Sequence, residues 1–162
     1  DWGRFSLNWL STYVSKLELK TDNLDENPPQ ARNGFGGNFR FRSNLNLGWE
    51  RESFGISWGI RHYSSSKEAC AFEDTTVRCN LPNYQSPSTG GEVSPQNRSG
   101  SNAFHDLQLR YTAPWNATAS LGINNVFDHY AAPSYSQANS GFSYYGGYDI
   151  GRFVYFKYQQ RF

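Results

Sequence analysis

Three histidines are the residues of this chain best suited to acid–base or nucleophilic chemistry. His62 precedes Tyr63-Ser64-Ser65, but no spacing marks a nucleophile. His105 precedes Asp106, which points to the opposite face of a strand, and His129 opens a long loop without an evident partner. A hydrolase site needs a histidine beside a serine and a third group that orients it. We therefore predict no catalytic residue and no enzymatic activity.

Two cysteines, Cys70 and Cys79, lie close together in one polar segment. Two thiolates alone cannot complete a tetrahedral metal shell, and no histidine lies nearby at ligand spacing. In an oxidising compartment such a pair most simply forms a local disulfide. The carboxylates Glu68, Glu73 and Asp74 of the same segment could bind a cation, although solvated loop residues are the simpler interpretation. We predict a Cys70–Cys79 disulfide, no metal and no cofactor.

The composition favours strands with one apolar and one wet face. Aromatic residues make up 17% of the chain although only 37% of residues are hydrophobic, and Gly is frequent at 15. The net charge of +1 gives no basic patch that would predict a nucleic-acid partner. No run of about 18 apolar residues is present, so we expect no transmembrane helix.

Period-2 alternation is the dominant pattern, and it recurs in about six segments without a helical stripe. Basic and polar residues occupy the alternate positions. The apolar members of the six segments are Phe5, Leu7, Trp9, Tyr13, Leu17 and Leu19; Phe39, Phe41, Leu45, Leu47 and Trp49; Phe54, Ile56, Trp58 and Ile60; Leu107, Leu109 and Tyr111; Ala117, Ala119, Leu121 and Ile123; and Val154, Phe156, Tyr158 and Phe162. The pattern predicts an all-β, antiparallel, up-and-down arrangement.

The connections between these segments alternate between short and long. Short turns fall at Arg51-Glu52-Ser53 and Pro114-Trp115-Asn116. Long connections run from about Thr21 to Gly37, from about Ser65 to Asn102 and from about Asp128 to Tyr148. This asymmetry is typical of bacterial transmembrane barrels, with tight periplasmic turns and long extracellular loops. A soluble β-sandwich would explain the alternation equally well, but not a loop of roughly 38 residues.

Two stretches near the C-terminus resemble the last strands of TonB-dependent outer-membrane receptors. Ala119–Asp128 reads ASLGINNVFD, similar to the family's "LGxxNxFD" pattern. Tyr148–Phe162 reads YDIGRFVYFKYQQRF, with a Gly-Arg step, alternating aromatics and a terminal Phe. Phe156, Tyr158 and Phe162 also resemble the general outer-membrane assembly signal. The resemblance is specific over Ala117 to Phe162 and architectural upstream.

The resemblance implies that residues 1–162 are the C-terminal part of a receptor barrel of about 22 strands with a plugged lumen. It implies a bacterial outer-membrane location and a C-terminus in the periplasm. The expected partners are outer-membrane lipid, the remainder of the barrel and plug, and TonB through an N-terminal part outside these residues. The implied function is energised uptake of a scarce small molecule such as a ferric siderophore, haem, cobalamin or a carbohydrate.

Six strands alone leave two open sheet edges, which hydrocarbon does not tolerate, so we expect this chain to be a fragment or split piece. The basic residues on the polar faces would then line the lumen, where arginine forks suit carboxylates of a plug. The simpler alternative is that any barrel interior is polar. These lumen-facing candidates are Arg40, Arg42, Arg61, Arg110 and Lys157.

Aromatic residues beside polar groups in the long connections are the candidates for ligand binding, because such rings can stack on sugars, porphyrins or catechols. The alternative for any one of them is packing on its neighbours and on the rim. The candidates are Phe72, Tyr84, Tyr135, Tyr144 and Tyr145. Two other functions stay open: a passive porin-like or adhesive barrel piece, and a soluble carbohydrate-binding β-sandwich.

Overall fold

A computed structural model describes residues 2–20, 29–70, 80–85, 90–131, 142–145, 147–148 and 151–162. Within these ranges the chain is all-β. None of the described residues belongs to a helix that could cross a membrane. The strands, in chain order, are β1 (Arg4–Tyr13), β2 (Glu18–Leu19), β3 (Gln30–Ala31), β4 (Phe41–Arg51), β5 (Phe54–Tyr63), β6 (Ser66–Ala69), β7 (Gln96–Ser99), β8 (Asn102–Ala113), β9 (Ala117–Asn124), β10 (Phe142–Ser143), β11 (Gly147–Tyr148) and β12 (Phe153–Gln160).

Six of these strands form one antiparallel sheet, the main sheet, in the order β1-β4-β5-β8-β9-β12. Each main strand therefore pairs with the main strand that precedes or follows it in the chain. The predicted all-β, antiparallel, up-and-down order of about six strands is confirmed. In the described residues the sheet does not close on itself, and β1 and β12 are its two edges.

Two tight turns lie at one end of the main sheet, which we call the turn end. Glu52 lies in the turn between β4 and β5 with φ 51°, and Asn116 lies in the turn between β8 and β9 with φ 60°. The three long connections leave from the opposite end, which we call the loop end. Each of them carries a two-stranded ribbon: β2 with β3, β6 with β7 and β10 with β11. The alternation of short and long connections is thus confirmed.

One face of the main sheet is apolar along its whole width. Directly paired residues of antiparallel strands lie on the same face, and one row of them runs through Leu7, Leu47, Trp58, Leu107, Ile123 and Val154. Most of this apolar face is open, with Leu7 69% and Phe156 68% exposed. We refer to the other face as the polar face.

The largest departure from the sequence pattern concerns Phe39. The alternation placed Phe39 beside Phe41 on the apolar face, but β4 begins only at Phe41. Phe39 is instead buried against Tyr63, with ring centroids 5.1 Å apart, and Tyr63 pairs with Arg42 on the polar face. A period-2 pattern holds only while the backbone stays extended, so it cannot place a residue that precedes the strand. Leu17 and Leu19 similarly lie beyond the end of β1 at Tyr13.

The hairpin of β5 and β8 continues beyond the main sheet. Tyr63 pairs with Asn102 at its end, and after two unpaired residues in each strand Ser66 pairs with Ser99 in the same register. Part of the long connection that the sequence left as loop is therefore a strand extension. The β6–β7 ribbon thereby extends this hairpin outward at the loop end.

Gly122 on β9 is a point of close approach on the polar face. A Cβ at this position would overlap the ring of Tyr155 on β12, which lies across the glycine. From there the Tyr155 hydroxyl accepts a hydrogen bond of 3.1 Å from Gln108 Nε2 on β8. Without a side chain at Gly122, one tyrosine thus ties together three strands.

Gly122→Ala should lower the free energy of unfolding by about 1–3 kcal/mol, because the added methyl must displace the Tyr155 ring. Urea unfolding of the protein in detergent or lipid would measure this loss. In a Tyr155→Ala background the same substitution should cost much less, since the overlap is gone. An equal cost in both backgrounds would contradict the proposed contact.

Candidate binding site at the loop end

Ion pairs cross the polar face near the turn end. Glu50 on β4 accepts hydrogen bonds from Arg4 on β1 and from Arg110 on β8. Gly55 on β5 lies between Glu50 and Arg110 in the register. A Cβ there would come within 3.3 Å of the Arg110 guanidinium, so the glycine keeps its path to Glu50 clear. Arg110 thus lies on the polar face, as predicted, and is engaged within the sheet.

A second ion pair occupies the polar face closer to the loop end. Arg61 donates to Asp106 through Nε at 3.0 Å and through Nη2 at 3.2 Å. The Asp106 carboxylate also accepts from the backbone N–H of Asn125 at 2.9 Å. The Arg61 guanidinium lies 5.5 Å from the ring centre of Phe104. The Arg61–Asp106 pair therefore links β5, β8 and the chain after β9.

The other three predicted lumen residues are more exposed. Arg42 shares a register position with Thr12 and Tyr63, and Lys157 with Ser120, so both lie on the polar face. Arg40 precedes β4 by one residue and lines a cavity at the loop end. None of the three forms an ion pair with any other residue that the structure describes.

Tyr145, one of the predicted ligand residues, is buried in an aromatic cluster on the polar face at the loop end. It is 7% exposed and packs on Phe39 and Tyr63 at centroid distances of 5.1 and 5.2 Å. Its hydroxyl accepts from Asn102 Nδ2 at 2.7 Å and lies 3.2 Å from Ser99 Oγ. In this structure Tyr145 therefore packs on neighbouring aromatic residues, which was the alternative to ligand binding for the aromatics of the long connections.

Tyr144 and Tyr84 lie at the rim of the loop end and are partly exposed. The Tyr144 hydroxyl donates to the buried Glu68 carboxylate at 3.0 Å. The Lys67 ammonium lies 4.7 Å from the ring centre of Tyr84. Phe72 and Tyr135, the other two candidates, lie outside the described residues.

A cavity of about 720 Å³ opens between the β2–β3 ribbon, the segment before β4 and the β6–β7 ribbon. Its size is within the range of sites for small organic ligands. Of the sequence-predicted residues, Arg40 and Tyr84 meet here, whereas Arg42, Arg61, Arg110 and Lys157 do not. The cavity brings together residues that are distant in the sequence, including Arg32 and Arg98.

The three histidines occupy packing positions. His105 lies on the apolar face and accepts a 3.1 Å hydrogen bond from the Trp58 indole through Nδ1. His62 packs on Phe41 with ring centroids 5.8 Å apart. His129 Nε2 lies 2.7 Å from Asn102 Oδ1. Among the described contacts of the three, none places a serine hydroxyl beside an imidazole.

The "LGxxNxFD" stretch has a structural role at each fixed polar position. Asn125 has φ 52° and is 4% exposed. Its side chain donates to His129 O and accepts from His129 N, both at 2.9 Å, which closes the bend after β9. Asp128 accepts from the backbone N–H of Arg152 at 2.7 Å and so fixes the approach to β12. Gly151 leaves space for the Tyr130 hydroxyl beside this contact.

Asn125→Ala should lower the free energy of unfolding by about 2 kcal/mol, because it removes two buried hydrogen bonds and strains a left-handed backbone. Asn125→Gly removes the same bonds but tolerates the positive φ, so it should cost less than alanine. Asn124→Ala, at an exposed neighbouring position, is the matched control. Chemical unfolding would check the order, and equal losses for all three variants would refute this role for Asn125.

The aromatics of the predicted assembly signal are open to solvent in this chain. Phe156 and Tyr158 lie on the apolar face of the edge strand β12, and Phe162 follows the strand.

Cys70 is disulfide-bonded. Its predicted partner, Cys79, lies outside the described residues. In the described part of the chain, no three His, Cys, Asp or Glu side chains are grouped as a metal site.

Two residues that organise the loop end, Phe104 and Asn102, were not among the candidates from the sequence, and Glu68 was considered there only as a possible cation ligand or a solvated loop residue. Phe104, Asn102 and Glu68 are all buried there. Phe104 is an apolar residue at a polar-face position, next to Arg61 in the register. Such a break in alternation near the end of a strand is the one pattern that could have indicated the cluster.

Comparison with known proteins adds no assignment, since no family model, curated protein or solved structure matches this chain.

Proposed function

We propose that this chain forms part of the wall of an outer-membrane β-barrel, in a TonB-dependent receptor that imports a scarce small molecule. The observation that carries the membrane proposal is the open apolar face of the main sheet. Large exposed apolar patches are rare on soluble proteins and mark a surface that meets another apolar phase. Here the face extends across six strands.

Strand lengths support lipid as that phase. The main strands contain 8 to 12 residues, and a tilted strand needs about 9–11 residues to cross a bilayer. Phe54 and Tyr111 pair on the apolar face at the turn end, with ring centroids 5.1 Å apart. Aromatic residues near the ends of the strands are expected where the wall of a barrel meets the membrane–water interface.

The polar face supports a lumen. Its arginines are satisfied mainly by cross-strand carboxylates, as in the Arg61–Asp106 and Arg110–Glu50 pairs. Charges paired in this way can be sustained beside water or a plug but not against hydrocarbon. The described residues place no second layer over the apolar face, which favours the barrel over the soluble sandwich.

The receptor assignment rests on the motif residues near the C-terminus. Asn125 and Asp128 hold the bend after β9 and the start of β12 through side chain–backbone bonds. A barrel of any function could use such bonds, so the uptake function is proposed from the resemblance. The passive porin-like or adhesive piece remains the second candidate.

Two experiments test the proposal in order. The protein expressed from its native gene should be recovered in the outer-membrane fraction. In vesicles, its tryptophan fluorescence should be quenched by lipids brominated in their acyl chains, because Trp9 and Trp58 lie on the apolar face. Recovery as a soluble protein without quenching would reject the barrel.

The transport step is tested in cells. Uptake of the cargo should stop when the proton-motive force is dissipated or when TonB is deleted. Continued uptake under both conditions would replace the receptor with the passive porin-like alternative. Normal membrane assembly without any uptake would favour the adhesive one.

A further inference from the structure

The cavity at the loop end carries an excess of positive charge. Among the described residues that line it, the ionisable cations are Arg32, Arg40, Lys67 and Arg98, and the carboxylate is Glu18. Glu18 is already paired with Lys16, whose ammonium lies 3.1 Å from its Oε2. We call this site the cationic cavity.

The four cations have no carboxylate partner among the residues that the structure describes. Two are positioned instead by neutral groups. Arg32 donates to Gln30 Oε1 at 2.8 Å and lies 5.8 Å from the ring centre of Phe35, while Lys67 lies over Tyr84. Such contacts orient a cation without neutralising it.

Buried polar atoms in the wall give an independent indication of a ligand. Gln96 is 7% exposed, yet its Oε1 has no hydrogen-bond partner in the described structure. Arg32 Nε is likewise buried and without a partner there. Both residues line the cavity. Buried polar groups are nearly always hydrogen-bonded in folded proteins. The vacant Arg32 donor therefore suits an oxygen of a ligand, whereas the vacant Gln96 oxygen is an acceptor and suits a hydroxyl or N–H group of the same ligand.

We propose that the cationic cavity binds a multiply charged oxyanion, a small organic molecule that carries several carboxylate or phosphate groups. Four cations within one cavity match several negative charges better than a neutral ligand. The guanidinium of Arg32 can form the planar, forked contact that carboxylate and phosphate share. As the identity of an imported cargo, this inference rests on the proposed function; as a binding site, it stands separately.

Binding is tested with the full protein in detergent by isothermal titration. The probes are benzene-1,3,5-tricarboxylate and inorganic tripolyphosphate, with the neutral 1,3,5-benzenetrimethanol as control. At least one anion should bind with an affinity that falls as salt is added, since charge pairing at the surface is screened. Preference for one anion identifies carboxylate or phosphate as the recognised group. Equal binding of the neutral probe, or no binding of either anion, would overturn the proposal.

Matched variants locate the site. Arg32→Gln combined with Lys67→Gln should weaken anion binding by at least about tenfold, which corresponds to about 1.4 kcal/mol. Arg51→Gln removes an exposed charge at the turn end and should leave binding unchanged, and Arg32→Lys should retain part of it. Each variant is checked for unchanged strand content by circular dichroism. Wild-type affinity in the folded double variant would place binding elsewhere.

The outcome is separable from that of the proposed function. If the protein assembles in lipid but binds neither anion, the barrel proposal stands and the anion-binding proposal is wrong. If anion binding depends on Arg32 and Lys67 but brominated lipids do not quench the tryptophan fluorescence, the anion-binding proposal stands and the barrel proposal is wrong.

Discussion

Leu47→Arg should prevent stable insertion of the protein into lipid. Leu47 lies in the middle of the apolar row that spans the main sheet, beside Leu7 and Trp58. An arginine that faces lipid near the bilayer midplane costs about 2–4 kcal/mol in a membrane barrel. We therefore expect a marked loss of protein from the outer-membrane fraction. We also expect a loss of the folded species that migrates differently in unheated and heated samples on gel electrophoresis.

Asn46→Arg is the matched control, because it adds the same charge one residue away on the polar face. This variant should assemble almost normally if that face borders water. In a soluble sheet the prediction reverses, since Leu47 is already 41% exposed and arginine would be tolerated. Equal assembly of the two variants would therefore reject lipid as the medium of the apolar face.

Tyr145→Ala should lower the free energy of unfolding by about 3–5 kcal/mol, the range for removal of a large buried aromatic side chain. The variant loses ring contacts with Phe39, Tyr63 and Phe104 and leaves the Asn102 amide without its tyrosine partner. Urea unfolding would measure the loss. Limited proteolysis should also cut first near residues 142–148 in this variant.

Tyr145→Phe separates the two contributions. It keeps the ring and removes only the hydroxyl. We expect a smaller cost of about 1–3 kcal/mol, because the Asn102 amide loses its bond to the tyrosine and keeps only its bond to Gly100 O. Tyr13→Ala, at an exposed position near the end of β1, controls for loss of an aromatic ring. If Tyr145→Ala were as stable as this control, the aromatic cluster would not hold the loop end in place.

The main sheet could be predicted from the sequence because its pattern is local. Each strand displays its own alternation, and each pairs with a neighbour in the chain, so no distant pairing had to be guessed. The turns at Glu52 and Asn116 were found for a similar reason: a gap of two or three residues between antiparallel strands permits little else.

The loop end could not be predicted in this way. The aromatic cluster joins Phe39, Phe104 and Tyr145, which share no spacing, and the cationic cavity joins Arg32 to Arg98 across an intervening hairpin. Lysine or arginine in a loop ordinarily indicates only a solvated surface. The cationic residues come together because β6 pairs with β7 over four residues in each strand. Sequence patterns do not reveal so short a pairing.

The neighbour-to-neighbour order of the main sheet has a kinetic consequence. Each main strand pairs with its neighbour in the chain, so we expect that the sheet can grow by one strand at a time from either side without threading. A growing sheet of this order has two unpaired edge strands, whatever its width. The number of unpaired edges falls only when the two edge strands pair with each other. In the proposed membrane barrel, the free-energy benefit of pairing these borders would come only with the single event that closes the wall. Assembly of such a wall should therefore be all-or-none in yield even though its individual steps are local.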